Sequence, residues 1–342
     1  MERFPGLVTD RSAWRGADLS HSEEWVFGFG EKHLAELDAA LARVRHLPVE
    51  MIARTDFPLP TLAGLIAQFA DELENGRGLI LFRGFPVERY SEEDGARIFW
   101  GFGSHFGSAI SQNKFGQLLG HVRDEGAAYG TRNARGYNSS ARLKFHNDNA
   151  DVVALLCYHP AKEGGLSTVT SATAIYNEIV RRRPDLLDQY YQGMHYHLRG
   201  EERPNIPPVT PHRIPIFSYC ADKLSCRYVR NAINLAPKEF NTSHTERELE
   251  TLDLFDELAA SADLRLDMEL QPGDMQYLNN HVTVHSRTAF VDHDDPKRRR
   301  HLLRLWLNLY NGRLLAPEFA NRYGSGAGRL GVPPVPGLAS VG

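Results

Sequence analysis

The feature that most constrains this chain is a succession of short strand-like segments between Ala141 and Leu309. Each segment carries alternating or wholly apolar residues and is bounded by turn formers, which is the pattern of β-strands in a layered fold. The runs are Arg142–Phe145, Asp151–Tyr158, Ser167–Thr170, Met194–Leu198, Ile214–Cys220, Arg227–Ile233, Leu264–Leu270, Met275–Leu278, Val282–Ser286 and Arg300–Leu309. So many short strands predict a mainly β fold with flanking helices, built as a sandwich or barrel.

Helical patterns precede and interrupt these strands. The predicted helices are Glu31–Arg45, Leu62–Glu74, one that begins at Ser91, Ser171–Arg183 and Glu246–Ala260. Ser243 and Glu246 have the spacing of a capping box for the last of them. We expect one domain over residues 1–342, with a helical extension at 1–77, a β core with helical insertions at 78–309 and a Gly/Pro-rich segment at 310–342.

Composition narrows the class of protein. The 39 Lys and Arg residues against 43 Asp and Glu give a net charge of -4, which argues against a nucleic-acid binder. The three cysteines show no CxxC spacing, so neither a zinc finger nor a disulfide framework is expected. No run approaches the ~18–20 apolar residues of a membrane span. We therefore expect a cytoplasmic protein with no nucleic-acid or membrane partner.

The triplet His146-Asn147-Asp148 is the first candidate for chemistry. On a strand or turn, alternation sends His146 and Asp148 to the same side, where imidazole and carboxylate can bind one metal ion. About two His-x-[Asp/Glu] triplets are expected by chance and the chain has four, which begin at His21, His146, His244 and His293. Only His146 lies beside an apolar core strand, where a buried charge needs a partner or a metal.

A second candidate is the strand that contains His281, Thr283 and His285. Alternation places all three residues on one face, so either histidine could complete a metal site. The spacing alone does not choose between His281 and His285, and two polar residues on an exposed face would give the same pattern.

The third candidate is the apolar strand that begins at Arg300. Arg300, Arg304 and Trp306 share one face of this strand, and buried guanidinium groups need anionic partners such as carboxylates. Two histidines and one carboxylate make a facial triad for non-haem Fe(II), and a nearby arginine would anchor a dicarboxylate.

These ordered motifs resemble those of the Fe(II)/2-oxoglutarate-dependent oxygenases of the taurine dioxygenase (TauD/TfdA) and clavaminate synthase-like superfamily. The similar stretches are FHNDNADVVALLCYHPAKEGGLSTVTSATAIYNEI, QPGDMQYLNNHVTVHSRTAF and RHLLRLWL, so the resemblance covers about residues 78–309. It implies a catalytic domain with a double-stranded β-helix core, also described as a jelly roll or cupin-like fold.

The resemblance also assigns roles to residues. His146, Asp148 and His285 would bind the iron, and Arg300 would bind the distal carboxylate of 2-oxoglutarate with help from the hydroxyl of Ser167. Arg304 would face the primary substrate or support the site, and a one-residue error in strand register would exchange Arg300 and Arg304. The further residues predicted to contact substrate are Gln112, Asn113, Asn138 and Asn147.

The implied reaction uses Fe(II), 2-oxoglutarate and O₂ to oxidise an unactivated C–H bond, releasing succinate and CO₂. Hydroxylation is the default outcome, with desaturation or cyclisation as further outcomes, and the acidic ligand Asp148 argues against halogenation. Arg304 suggests a small carboxylate-bearing substrate, amino-acid-like or a natural-product intermediate. Two alternatives stay open: a metal-free jelly-roll binding module, and a cupin-like metalloenzyme that does not use 2-oxoglutarate. The resemblance also raises the prospect of a homo-oligomer.

Overall fold

The centre of the protein is a pair of facing β-sheets. The computed structural model describes residues 2–126, 138–202, 205–320 and 331–335. Its strands are β1 Val26–Gly28, β2 Leu79–Arg83, β3 Gly107–Ala109, β4 Leu119–Val122, β5 Leu143–His146, β6 Val152–His159, β7 Glu163–Gly164, β8 Ser167–Ser171, β9 Phe217–Cys220, β10 Lys223–Cys226, β11 Arg265–Met268, β12 Met275–Asn279, β13 Thr283–Arg287, β14 Phe290–Val291 and β15 His301–Leu309. The major sheet has the order β1-β2-β12-β6-β15-β3, with β4 also paired to β15, and the minor sheet has the order β11-β8-β13-β5.

Helices cover the outer faces of both sheets. They are α1 Gly16–Leu19, α2 Glu31–Val44, α3 Ala63–Asn75, α4 Glu92–Gly103, α5 Ala172–Arg182, α6 Leu187–Gln192, α7 Arg230–Leu235, α8 Glu246–Ala260 and α9 Pro317–Ala320. Apolar residues of α2, α3 and α4 pack on the major sheet, whereas those of α5, α6 and α8 pack on the minor sheet. A third apolar cluster lies between the sheets and joins Val153 and Trp306 of the major sheet to Val169 and Leu266 of the minor sheet.

The alternation of β15 places Arg304 on the side of the functional residues. Leu303, Leu305 and Leu307 belong to the cluster under the helices. Leu302 and Trp306 belong to the cluster between the sheets. Because successive side chains of a strand point to opposite faces, Arg304 lies on the inner face with Trp306. This confirms the face predicted for the strand.

Three local predictions were wrong. The capping box of α8 is formed by Thr245 and Glu248, not by Ser243 and Glu246. The segment Arg227–Ile233 is not a strand, because it makes an isolated bridge at Val229 and then enters α7. The segment Met194–Leu198 makes only the isolated bridges Met194–Ile214 and His197–Val209.

Segments from both ends of the chain contact the β core. Residues 16–75 contain α1, α2 and α3, but they also supply β1, which pairs in parallel with β2 at the edge of the major sheet. After β15, the described residues 331–335 return to the core, where the Val332 amide donates to the Ser111 carbonyl and Val332 is buried. The rest of the Gly/Pro-rich segment after α9 lies outside the described residues.

Candidate metal centre and substrate cavity

His146, Asp148 and His285 meet at one point on the inner face of the minor sheet. His146 ends β5 and lies opposite His285 of β13 in the antiparallel pair. Nε2 of His146 is 3.8 Å from Oδ1 of Asp148, and Nε2 of His285 is 3.8 Å from Oδ2 of the same carboxylate. One ligand atom from each residue lies within 4.8 Å of the other two, a spacing that one metal ion can bridge.

Neighbouring side chains fix the carboxylate. The Asp148 amide donates to Oδ1 of Asn280 at 2.9 Å, and Nε1 of Trp306 donates to Oδ2 of Asp148 at 2.9 Å. A side chain on the inner face of β15 therefore orients the candidate metal ligand Asp148, which follows β5, and this bond joins the two sheets at the site. Bonds of this kind to a ligand hold its geometry and tune the metal.

The protonation states suit a divalent cation. Nδ1 of His146 donates to the Lys144 carbonyl at 2.9 Å. The ring proton is therefore on Nδ1, and the lone pair of Nε2 is on the side of Asp148. Burial lowers the pKa of His146, and it lowers the pKa of His285 to about 3. Burial alone would raise the pKa of Asp148, but Arg304, the two histidines and the Trp306 bond outweigh it, so that the pKa lies below its ordinary value. Two neutral imidazoles and one carboxylate fit Fe(II).

His281 does not join this set. Its Nε2 is 2.9 Å from Oδ1 of Asp151, in a pair that is almost completely buried. The Leu309 amide donates to the other oxygen of Asp151. The alternative that the sequence left open is thus decided by the structure: His285, and not His281, lies beside His146 and Asp148.

Arg300 is a buried cation directly before β15, and it does not line the cavity that contains His146 and Asp148. Only 6% of its surface is exposed, and its Nη1 has no hydrogen-bond partner among the described residues. Its guanidinium lies over the ring of Phe290, 5.2 Å from the centroid, and burial lowers the pKa of Arg300 to about 10. Gly165 has φ +71°, and a Cβ there would lie 3.3 Å from Nε of Arg300. A buried guanidinium with an unsatisfied donor is suited to a ligand carboxylate.

Ser167 occupies the inner face of β8. In the pairing of β8 with β13, Ser167 lies two positions along the strand from Val169, which faces His285. Its hydroxyl is buried and exchanges hydrogen bonds with the side-chain amide of Gln276 on β12. The structure therefore places Ser167 in the polar part of the space between the sheets.

An open cavity lies beside the candidate metal ligands, two of which, His146 and Asp148, line it. Its wall carries four cationic side chains, Lys144, Arg199, Arg230 and Arg304, and two acidic ones, Asp148 and Glu201. Val332 closes another part of the wall, where the side chain of Asn149 donates to the Gly331 carbonyl. With a divalent cation at the triad, a wall of this charge favours an anionic ligand.

Some of the residues predicted to contact substrate line the cavity, and others do not. Gln112, Asn147 and Arg304 line the cavity. Oε1 of Gln112 accepts from Nε of Arg304 at 2.6 Å. The Asn147 side chain bonds to backbone groups of Tyr228, Asn280 and Thr283.

Asn113 and Asn138 do not line this cavity among the described residues. Oδ1 of Asn113 accepts from the Phe115 amide, and Nδ2 of Asn138 donates to Glu125. Their substrate role stays a prediction.

Sequence reasoning missed Arg199, Glu201, Arg230 and Val332 as cavity residues. Arg199 and Glu201 lie in a turn without periodicity, and Val332 lies in the Gly/Pro-rich segment. No local motif marks these residues, because chain folding over long distances brings them to the metal ligands.

The profile of the family described as "Taurine catabolism dioxygenase TauD, TfdA family" matches residues 43–306. The chain belongs to the TauD/TfdA family. This TauD/TfdA chain is 38% identical, over 90% of its length and 91% of the relative, to "FR-33289 synthase" of Streptomyces rubellomurinus. It is 27% identical to "Taurine hydroxylase-like protein SAT17" of Stachybotrys chartarum, over 89% of this chain and 80% of the relative.

Solved structures of iron oxygenases share the fold of this chain. An asparagine oxygenase in complex with Fe(II), 2S,3S-3-hydroxyasparagine and succinate aligns with a TM-score of 0.65 and 18% identity, over 83% of this chain and 94% of that one. The oxygenase OrfP in complex with Fe and alpha-ketoglutaric acid aligns with a TM-score of 0.59 and 11% identity, over 83% and 94%. The predicted family, double-stranded β-helix fold and 2-oxoglutarate-dependent dioxygenase class are confirmed. Among the described residues, the TauD/TfdA chain has no helix with the length and apolarity needed to cross a bilayer.

Proposed function

We propose that this TauD/TfdA-family chain uses Fe(II), 2-oxoglutarate and O₂ to oxidise an unactivated C–H bond of a small anionic molecule, with release of succinate and CO₂. The observation that carries the proposal is the partly buried set of His146, Asp148 and His285, whose histidines lie opposite each other on paired strands. Iron bound there together with 2-oxoglutarate supplies the oxidising chemistry. The protein supplies two neutral imidazoles, a carboxylate held by Trp306 and a cavity beside them.

The second part of the proposal concerns 2-oxoglutarate. Arg300 binds its distal carboxylate, because this guanidinium is buried and Nη1 lacks a partner among the described residues. Ser167 adds a hydroxyl donor once its bond to Gln276 is exchanged for one to the ligand. Because Gly165 has no side chain, it leaves room for the guanidinium of Arg300. Charge-assisted bonds from a planar guanidinium are well suited to a carboxylate.

The cavity limits the class of primary substrate. Its four cationic side chains favour a molecule with a carboxylate or similar oxyanion, such as an amino acid or an intermediate made from one. Two solved structures of this fold contain hydroxylated amino acids, hydroxyasparagine and (3S)-hydroxy-L-Arg. The relative named as a synthase supports a biosynthetic role. We therefore propose hydroxylation as the default reaction, and Asp148 argues against halogenation because halogenases of the superfamily have a small residue at that position.

The first experiment is an anaerobic titration of the apoprotein with Fe(II) and 2-oxoglutarate, followed by the visible charge-transfer band of the chelate. Wild-type protein should develop the band, and His285→Ala should lose it. His21→Ala is the matched control, because His21 is exposed and belongs to a His-x-[Asp/Glu] triplet outside the cavity.

If the band does not form, separate binding measurements for Fe(II) and for 2-oxoglutarate distinguish the alternatives. A folded protein that binds neither iron nor 2-oxoglutarate would support the metal-free binding module. A protein that binds iron but not 2-oxoglutarate would support the cupin-like metalloenzyme. If the band forms, succinate release in the presence of amino acids and their derivatives then identifies the primary substrate.

A further inference from the structure

The turn of residues 197–202 brings two charged side chains to the cavity. Arg199 and Glu201 both project from this turn into the wall of the cavity that contains the metal ligands. Arg199 also acts electrostatically on His146, so its charge is close to the metal centre. The turn thus brings one cation and one anion to the site from outside the two sheets.

The backbone of this turn is held in an uncommon conformation. Arg199 has φ +54° and Gly200 has φ +82°, so a non-glycine residue occupies the left-handed region. The conformation is fixed locally, since the Gly200 amide donates to Oε2 of Glu202 and the Glu201 amide donates to the Leu198 carbonyl. A strained residue that points into a functional cavity indicates that its direction matters.

His197 holds the turn through both ring nitrogens. Nδ1 accepts from the Arg199 amide at 2.7 Å, so the ring proton is on Nε2, which is 3.0 Å from Oε1 of Glu239. The His197 side chain is 2% exposed. Glu239 lies in the 3₁₀ turn Ala236–Phe240, directly after α7. The His197–Glu239 pair therefore fixes Arg199 relative to α7, which begins at Arg230 of the same cavity wall.

Two other cations in the wall, Arg230 and Arg304, are held by α8 and by Gln112. Arg230 donates to Asp253 and Asp256 of α8, and Nε of Arg304 donates to Gln112. Arg304 also acts on Asp148, whose pKa it lowers. Arg199 differs from these two arginines in its placement. It lies on a turn outside both sheets, and its backbone amide is held by His197.

We propose that Arg199 is a specificity residue, whose guanidinium binds an oxyanion of the primary substrate, and that His197 and Glu239 are positioning residues for it. This inference rests on the proposed function, because it places the oxyanion in the cavity beside the metal. The oxyanion is a carboxylate, sulfonate or phosphate group, since a guanidinium binds all three. Glu201, on the same turn, accepts a hydrogen bond from a donor group of the substrate next to that oxyanion.

The test uses holoprotein, with Fe(II) and saturating 2-oxoglutarate under anaerobic conditions, so that Arg300 is already occupied. Acetate, sulfate and inorganic phosphate are titrated separately by calorimetry, which distinguishes the three kinds of oxyanion. Wild-type protein should bind at least one of them, and Arg199→Gln should weaken that binding at least tenfold. Arg199→Lys should retain part of the affinity, and the affinity for 2-oxoglutarate should stay within twofold in each variant.

Two further variants separate binding from a structural role. Arg199→Gly adopts the left-handed turn without strain, so it should fold normally and still lose the anion. His197→Phe should weaken anion binding without a change in 2-oxoglutarate affinity, and His197→Asn, which keeps an acceptor near the Nδ1 position, should restore part of it. Lack of anion binding by wild-type holoprotein, or equal binding by Arg199→Gln, would overturn the inference. Failure of the proposed function is distinct, because 2-oxoglutarate itself would then not bind.

Discussion

Replacement of Arg300 by methionine should stabilise the apoprotein and abolish tight binding of 2-oxoglutarate. Burial lowers the pKa of Arg300 from its ordinary value to about 10. At neutral pH the group is protonated in the folded and the unfolded protein, so the whole cost of burying the charge is present. At ~1.4 kcal/mol per pKa unit this cost is about 3 kcal/mol. It disappears only as the pH rises through the folded-state pKa, because the folded protein then releases its proton before the unfolded chain does.

Methionine removes this charge and keeps an unbranched apolar stem of similar length. We expect the free energy of unfolding of the apoprotein to rise by about 1–3 kcal/mol, with the cavity left by the guanidinium offsetting part of the gain. Binding should change in the opposite direction. Loss of one partner of a buried charged pair costs about 2–5 kcal/mol, which raises the Kd for 2-oxoglutarate by about 30-fold to a few thousand-fold.

Thermal melts of the apoprotein and anaerobic calorimetry with 2-oxoglutarate measure both effects. The matched control is Arg298→Met, since Arg298 is exposed in the 3₁₀ turn Pro296–Arg298 that precedes β15 and should change neither quantity. An Arg300→Met protein that is less stable than wild type and binds 2-oxoglutarate within threefold of wild type would refute the reasoning. Arg300 would then be a structural residue.

Two further substitutions test the surroundings of the ligands. Trp306→Phe removes the donor to Oδ2 of Asp148 and should weaken Fe(II) binding by about 10–100-fold in an anaerobic titration, whereas Trp100→Phe, which loses only a bond to the Ile52 carbonyl, should leave it unchanged. Gly165→Ala should destabilise the protein by about 1–2 kcal/mol and also weaken 2-oxoglutarate binding. The control Gly126→Ala has a similar φ of +74° but open space, so it should affect stability alone, and equal 2-oxoglutarate affinities in the two variants would contradict the role given to Gly165.

The parts of the structure that sequence could predict are those with a local period. Alternation along β15 assigned Arg304 and Trp306 to one face correctly, because each face of this strand is buried against a different apolar cluster. The same period placed His285 on the face that contacts His146 across the β5–β13 pair. Where a strand has two different environments on its two faces, a shift of one residue would exchange them, so the register is strongly specified.

The errors arose where two local patterns compete. Ser243-x-x-Glu246 and Thr245-x-x-Glu248 both have capping-box spacing, and the sequence does not rank them. In the structure Glu248 also forms an ion pair with Arg213, a contact between distant segments that favours the second. Similarly, Val229 begins as a bridge to His146, but Arg230 then binds two aspartates of α8 and the chain turns into a helix. Tertiary contacts override the local pattern in both places.

The difference between local patterns and long-range contacts also explains why the enzyme class could be predicted more readily than the substrate. His146 and His285 are fixed by strand pairing, which any chain with this alternation reproduces. Arg199 is fixed by a strained turn and by the bond from His197 to Glu239, 42 residues away in the chain. A change within residues 197–202 can therefore alter the charge offered to a substrate without disturbing the strands that hold the metal. The turn, rather than the β core, is where we expect substrate specificity to be set.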